Sequence, residues 1–92
     1  MINSITITRP DDWHIHFRDG EAMHSVVPDT ARIFGRAIAM PNLRPPVLTL
    51  DDALAYRSRL VDASNGCLFE PLMTLYLTDN TSASEIRRAK AS

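Results

Sequence analysis

Residues 13–20 read Trp13-His14-Ile15-His16-Phe17-Arg18-Asp19-Gly20. In an extended strand successive side chains point to opposite faces, so Trp13, Ile15 and Phe17 share one face and His14, His16 and Arg18 the other. The first face is apolar and suited to packing. The second carries two imidazoles and a guanidinium at alternate positions, about 7 Å apart along the strand. Two imidazoles on one face can grip a single divalent metal, and an arginine one step further can hold an anionic ligand beside it. A His-x-His pair alone also arises by chance. Here Asp11 and Asp12 precede it, Arg18-Asp19-Gly20 closes it, and the apolar face alternates cleanly.

Upstream, Ser4-Ile5-Thr6-Ile7-Thr8 alternates polar and apolar, the pattern of a half-buried leading strand, and Pro10 ends it because it has no N–H for a ladder. Downstream, Glu21 to Phe34 is helical in character. Pro28 is welcome only in a first turn, so two pieces are expected, the firmer being Pro28–Phe34 with Gly35 as its stop. His24 falls in the looser piece and reads as a surface histidine. Arg36 to Met40 is a short apolar run of the kind found in buried parallel strands. It leads into Pro41-Asn42-Leu43-Arg44-Pro45-Pro46, which is too rich in proline for regular structure. Asn42, just past a strand end, can offer both a donor and an acceptor, although asparagine is also a common turn residue.

Thr49-Leu50-Asp51-Asp52 starts a helix, a threonine cap with acidic residues in the first turn. It runs to about Ala63, with Leu50, Leu54, Leu60 and Val61 as candidates for burial, and Ser64-Asn65-Gly66 stops it. Leu68 to Leu77 reads as a third buried strand, and Ser82-Ala83-Ser84-Glu85 as a capping box that opens a last helix. After the leading strand the order is therefore strand, helix, three times over. Such alternation implies an α/β fold with parallel pairing and right-handed crossovers. His14, His16, Arg18 and Asn42 all fall at the C-terminal ends of strands, where α/β barrels and open sheets place their sites.

The bulk properties narrow the function. With 92 residues, 45% hydrophobic, and a formal net charge of −1, the chain is globular in composition. Ten Lys and Arg against eleven Asp and Glu, with no basic cluster, argue against nucleic acid. No apolar run approaches the ~20 residues that span a bilayer, and no signal-peptide core opens the chain. Cys67 is the only cysteine, so no internal disulfide can form and a cytoplasmic setting is expected.

Three blocks together resemble a known family. Pro10-Asp11-Asp12-Trp13-His14-Ile15-His16-Phe17-Arg18-Asp19-Gly20 is followed by Gly35-Arg36-Ala37-Ile38-Ala39-Met40-Pro41-Asn42-Leu43 with Pro45-Pro46-Val47. Then comes Pro71-Leu72-Met73-Thr74-Leu75-Tyr76-Leu77-Thr78-Asp79. The series is similar to the N-terminal part of the dihydroorotases, within the amidohydrolase superfamily, nearly end to end. Asp19-Gly20 after Arg18 favours the compact bacterial and fungal type, since the longer type carries a proline-glycine pair there. The resemblance implies a (β/α)8 barrel of the TIM type with a binuclear zinc centre. The implied reaction is reversible cyclisation of N-carbamoyl-L-aspartate to L-dihydroorotate in pyrimidine biosynthesis. By position in the motif, His14 and His16 would bind the more buried zinc, and Arg18 and Asn42, with His16, would contact the small-molecule substrate. The bridging carboxylated lysine, two further histidines and an aspartate general base lie later in the family's sequence than residue 92. Lys90, in a helical pattern, is not that lysine. The family also implies a homodimer when full-length.

That chemistry suits these residue types. Ring opening at neutral pH calls for an activated water, and zinc lowers the pKa of bound water to about 7. Arg18 can hold a carboxylate through paired N–H donors, and imidazoles bind metal only when neutral, so activity is expected to fall as pH drops through the histidine range. A barrel of this kind takes about 250 residues, and three of its eight units cannot close it. Residues 1–92 are thus expected to be the first portion of a single barrel domain, inactive alone, with the remainder of the enzyme either absent or a second chain. Two other readings stand beside this one: a non-catalytic barrel acting as an assembly partner, and an amidohydrolase acting on another cyclic amide. The Met40-Pro41-Asn42 block argues against the last.

Overall fold

The computed structural model describes residues 1–92 as three βα units. They are β1 (Asp11–Ile15), α1 (Gly20–Ile33), β2 (Arg36–Ala39), α2 (Leu50–Ala63), β3 (Glu70–Leu72) and α3 (Ala83–Ala91). The strands form one parallel sheet in the order β1-β2-β3, with Asp11, Arg36 and Glu70 in register at its N-terminal edge. This is the α/β arrangement expected from the alternation of elements.

The leading strand does not form. Ser4 to Thr8 has no regular structure, and Ile5 and Ile7 are largely exposed. Alternation marks a segment able to be a strand, but a ladder also requires a partner with free N–H and C=O groups. No such partner lies beside these residues. The third strand is also shorter than the Leu68–Leu77 expected, covering Glu70–Leu72 only. Beyond it the chain is held by isolated bonds: Thr74 Oγ1 donates to the Ala39 carbonyl at 2.7 Å, and the Tyr76 N–H donates to the Val47 carbonyl at 2.7 Å.

Pro28 does not divide the first helix. α1 is continuous through it, and the buried residues Met23, Val27, Thr30 and Ala31 lie on one face. Those packing contacts offset the one intrahelical bond that a proline removes. Gly35 is not the cap; Phe34 is, in an extended conformation, with its N–H donating to the Thr30 carbonyl at 2.8 Å. Gly35 instead links the strands, its N–H donating to the Pro10 carbonyl and its carbonyl accepting from the Glu70 N–H at 3.0 Å.

α2 begins as its sequence indicates, with the Thr49 hydroxyl accepting from the Asp52 N–H at 3.1 Å. Its buried face matches the one expected only in part, at Leu60. Ala53, Tyr56, Leu60 and Ala63 are buried, whereas Leu54 and Val61 are exposed and Leu50 half-buried. Small residues let the helix sit close to its neighbours, and that spacing, three and four residues apart, turns the larger aliphatics outward. In α3, Ser82 accepts from the Glu85 N–H at 3.1 Å, but Glu85 does not complete a reciprocal box. Its carboxylate accepts from the Leu50 N–H at 2.7 Å and pairs with Arg88, which also reaches Asp51. The last helix is thereby pinned to the first turn of α2.

Only 15 of the 92 residues are buried, a modest core of the kind three βα units can build. Its centre is Phe17, edge-on to Phe69 with ring centroids 6.1 Å apart, and Met23, Val27, Tyr56 and Leu60 are among the residues packed with them.

Candidate metal and anion site at the strand ends

The clean alternation expected of residues 13–17 is broken. Asp12 pairs with Ala37 but Ile15 with Ala39, so β1 carries one extra residue between them, a bulge. The His14 N–H turns out of the ladder and donates to Asp12 Oδ1 at 3.0 Å. Trp13 is consequently 51% exposed rather than buried, and the Arg36 guanidinium lies 5.0 Å from its ring centroid. Phe17 is fully buried and Ile15 half-buried, so two of the three expected apolar positions face the core.

Beside the bulge the two histidines meet. Their Nε2 atoms are 3.2 Å apart and their ring centroids 5.1 Å, with the rings inclined by 61°. Two imidazoles on one tetrahedral zinc, each at about 2.0–2.1 Å, hold their nitrogens about 3.3–3.4 Å apart. The pair therefore fits one edge of a metal's coordination shell. It supplies no more than an edge, because no group of three or more His, Cys, Asp or Glu side chains converges within the chain.

The strand ends at Ile15, so Arg18 does not continue the histidine row as an extended strand would place it. Its backbone adopts φ +61°, the left-handed region that non-glycine residues rarely enter. With Asp19, Asn42, Leu43 and Arg44 it lines an open depression. His14 and His16 line an adjoining one with Met40, Leu75 and Tyr76, and Asn42 borders both. Asn42 is held at the tip of a turn in which the Pro41 carbonyl accepts the N–H groups of Leu43 and Val47, each at 3.0 Å. The tertiary structure thus gathers all four residues at the C-terminal ends of β1 and β2. His24 is exposed on α1, and Lys90 lies in α3.

Two partners of this site escaped the sequence reading. The Tyr56 hydroxyl, from α2, donates to the Arg18 carbonyl at 2.5 Å. Arg59, one turn on, clamps the Asp19 carboxylate through Nε at 3.1 Å and Nη2 at 2.9 Å. Tyr56 does fall on the spacing of Ala53, Leu60 and Ala63, which was the available signal; larger aliphatics elsewhere on the helix obscured it. Burial, reinforced by the Asp19 charge and opposed by Arg59 and Arg18, pushes the Tyr56 hydroxyl up to about 12. It stays a donor throughout the neutral range.

Among known proteins, the dihydroorotase of Methylobacillus flagellatus is 69% identical over the whole chain, and that of Cupriavidus pinatubonensis 66%. Along its whole length the chain resembles the N-terminal part of dihydroorotases. It spans about 27% of the length of those relatives. The crystal structure of a Campylobacter jejuni dihydroorotase superposes on 90% of the chain, and on 25% of its own, with a TM-score of 0.83 at 38% identity. A Saccharomyces cerevisiae dihydroorotase solved with 5-fluoroorotic acid matches 89% of the chain and 22% of its own, with a TM-score of 0.78 at 32% identity. No protein-family model matches the chain. No helix is long and apolar enough to cross a membrane.

Proposed function

We propose that this chain contributes the first part of a zinc-dependent dihydroorotase active site, for reversible cyclisation of N-carbamoyl-L-aspartate to L-dihydroorotate. The observation that carries the reading is the 3.2 Å His14–His16 pair, joined through Asn42 to a depression that holds Arg18. The identity to dihydroorotases over the chain's full length supports it.

In this reading His14 and His16 are metal ligands, and both must be neutral to bind. A bound zinc supplies Lewis-acid polarisation of a carbonyl and activation of water. The chain's own residues orient the substrate. The Arg18 guanidinium, free of all the chain's ion pairs, offers parallel N–H donors to the substrate carboxylate. Asn42, bordering both depressions, adds a donor and an acceptor between that carboxylate and the metal side, and His16 also borders the substrate. The second metal's ligands, the bridging lysine and the general base belong to parts of the enzyme beyond residue 92, as does the rest of the barrel.

The test is turnover and metal content of the whole enzyme carrying this segment. Ring opening of L-dihydroorotate, with two zinc ions per active site and far weaker turnover of hydantoin, is the expected result. Preference for hydantoin, or binding of dihydroorotate without turnover, would overturn it.

A further inference from the structure

Arg18 sits in a left-handed backbone conformation that strains a non-glycine residue and persists only where the surroundings enforce it. The enforcing groups come from α2. Tyr56, fully buried, makes its one hydrogen bond to the Arg18 carbonyl, at 2.5 Å. Arg59 lies over the Tyr56 ring, 5.3 Å from its centroid, and holds the next residue, Asp19, by two bonds. Asp19 in turn caps α1, accepting from the Gly20 N–H at 3.0 Å. Two residues one turn apart on α2 thus grip the Arg18 carbonyl and the side chain of the next residue, Asp19, while the Arg18 side chain is left free to face the depression beside Asn42.

We infer that Tyr56, through the Arg18 carbonyl, and Arg59, through the side chain of Asp19 beside it, are positioning residues that fix Arg18 and so set substrate affinity. The inference rests on the reading of Arg18 as the carboxylate anchor. A carboxylate held by a guanidinium fork needs the fork's direction fixed, because paired donors lose their advantage once rotated. A buried hydroxyl on the carbonyl of that very residue fixes its peptide plane. Burial pushes its pKa up, so this hydroxyl remains a donor through the neutral range.

Four variants of the holoenzyme decide the matter: Tyr56→Phe, Arg59→Lys, Arg18→Ala and the Tyr56→Phe/Arg18→Ala double. Tyr56→Phe is expected to raise KM for L-dihydroorotate roughly tenfold, with kcat and zinc content held within about twofold. Arg59→Lys, which keeps the charge but loses the fork, is expected to raise KM by less, in the same direction. In the Arg18→Ala background, Tyr56→Phe should change KM no further, since the two act as a unit. Unchanged KM in both Tyr56→Phe and Arg59→Lys, while Arg18→Ala raises it, would overturn the positioning role and leave the anchor intact. Unchanged KM in Arg18→Ala itself would remove the anchor, and the inference with it. A parallel loss of kcat and zinc in Tyr56→Phe would mark the network as general scaffolding and overturn the inference as well. If Tyr56→Phe does not fold, Arg59→Lys, whose side chain is 44% exposed, carries the same comparison.

Discussion

The two ends of the small parallel sheet differ in what their polar groups do. At the N-terminal end Arg9, Asp11 and Arg36 are engaged with the protein itself. Arg9 donates to the carbonyls of Leu68 and Ala31, tying the end of α1 to the approach to β3. Asp11 accepts from both the backbone and the guanidinium of Arg36, which also stacks on Trp13. At the C-terminal end, His14 and His16 face each other at 3.2 Å, Arg18 enters no ion pair, and its left-handed backbone is held from α2. One end of the sheet uses its charges to join elements. The other leaves His14, His16 and Arg18 out of such links, at a cost in local strain at Arg18. Division of this kind is characteristic of α/β barrels, where the strand C-termini carry function and the opposite face carries stability.

If that division holds, substitutions at the two ends should separate activity from stability. The largest effect is expected from His14→Ala or His16→Ala in the complete enzyme. Turnover should fall by roughly a thousandfold or more, matching the several kcal/mol a metal supplies. Zinc content by elemental analysis should drop with it, while the urea midpoint measured on metal-free protein stays put. A large loss of metal-free stability would mean that the pair is structural and would break the contrast. Next comes Arg9→Ala, expected to lower stability by about 1 kcal/mol, since two carbonyls lose a charged donor. Its kcat/KM per folded molecule should match that of the unmodified enzyme; a change there would show the two ends to be coupled.

The smallest effect concerns acid. The Arg36 guanidinium, chiefly by its hydrogen bond, holds the Asp11 carboxyl below its usual value of 3.8. Folding therefore favours the ionised form. This contribution is complete above that value and fades as pH falls through the lowered one. Asp11→Asn should accordingly be less stable at neutral pH and lose less on acidification, and melting curves at pH 3 and pH 7 (each about one unit or more from the ordinary carboxylate value) would measure the difference. Added salt should shrink it, as expected for an exposed pair.

The order of elements, the helix starts at Thr49 and Ser82 and the gathering of chemistry at strand ends were legible in the sequence itself. They rest on short-range physics: where a hydroxyl can cap a helix, where proline forbids a ladder, how often an apolar residue recurs. His14 and His16 belong to this class, because two residues one apart in extended chain must share a side. Other features answered to contacts between distant segments. Ser4–Thr8 alternates as a strand should, yet only a neighbouring ladder could have made it one. Trp13 alternates with Phe17, yet the bulge opposite Ala37–Ala39 turned it outward. Pro28 would break an isolated helix, but the buried face of α1 carries the helix through it. Arg18 left the histidine row because α2, some forty residues away in sequence, supplies the hydroxyl that holds its carbonyl and the guanidinium that holds the Asp19 carboxylate. Local pattern determined which groups were available, and tertiary packing decided which way they faced, because direction at a chain turn is set by whichever partner can satisfy the backbone there.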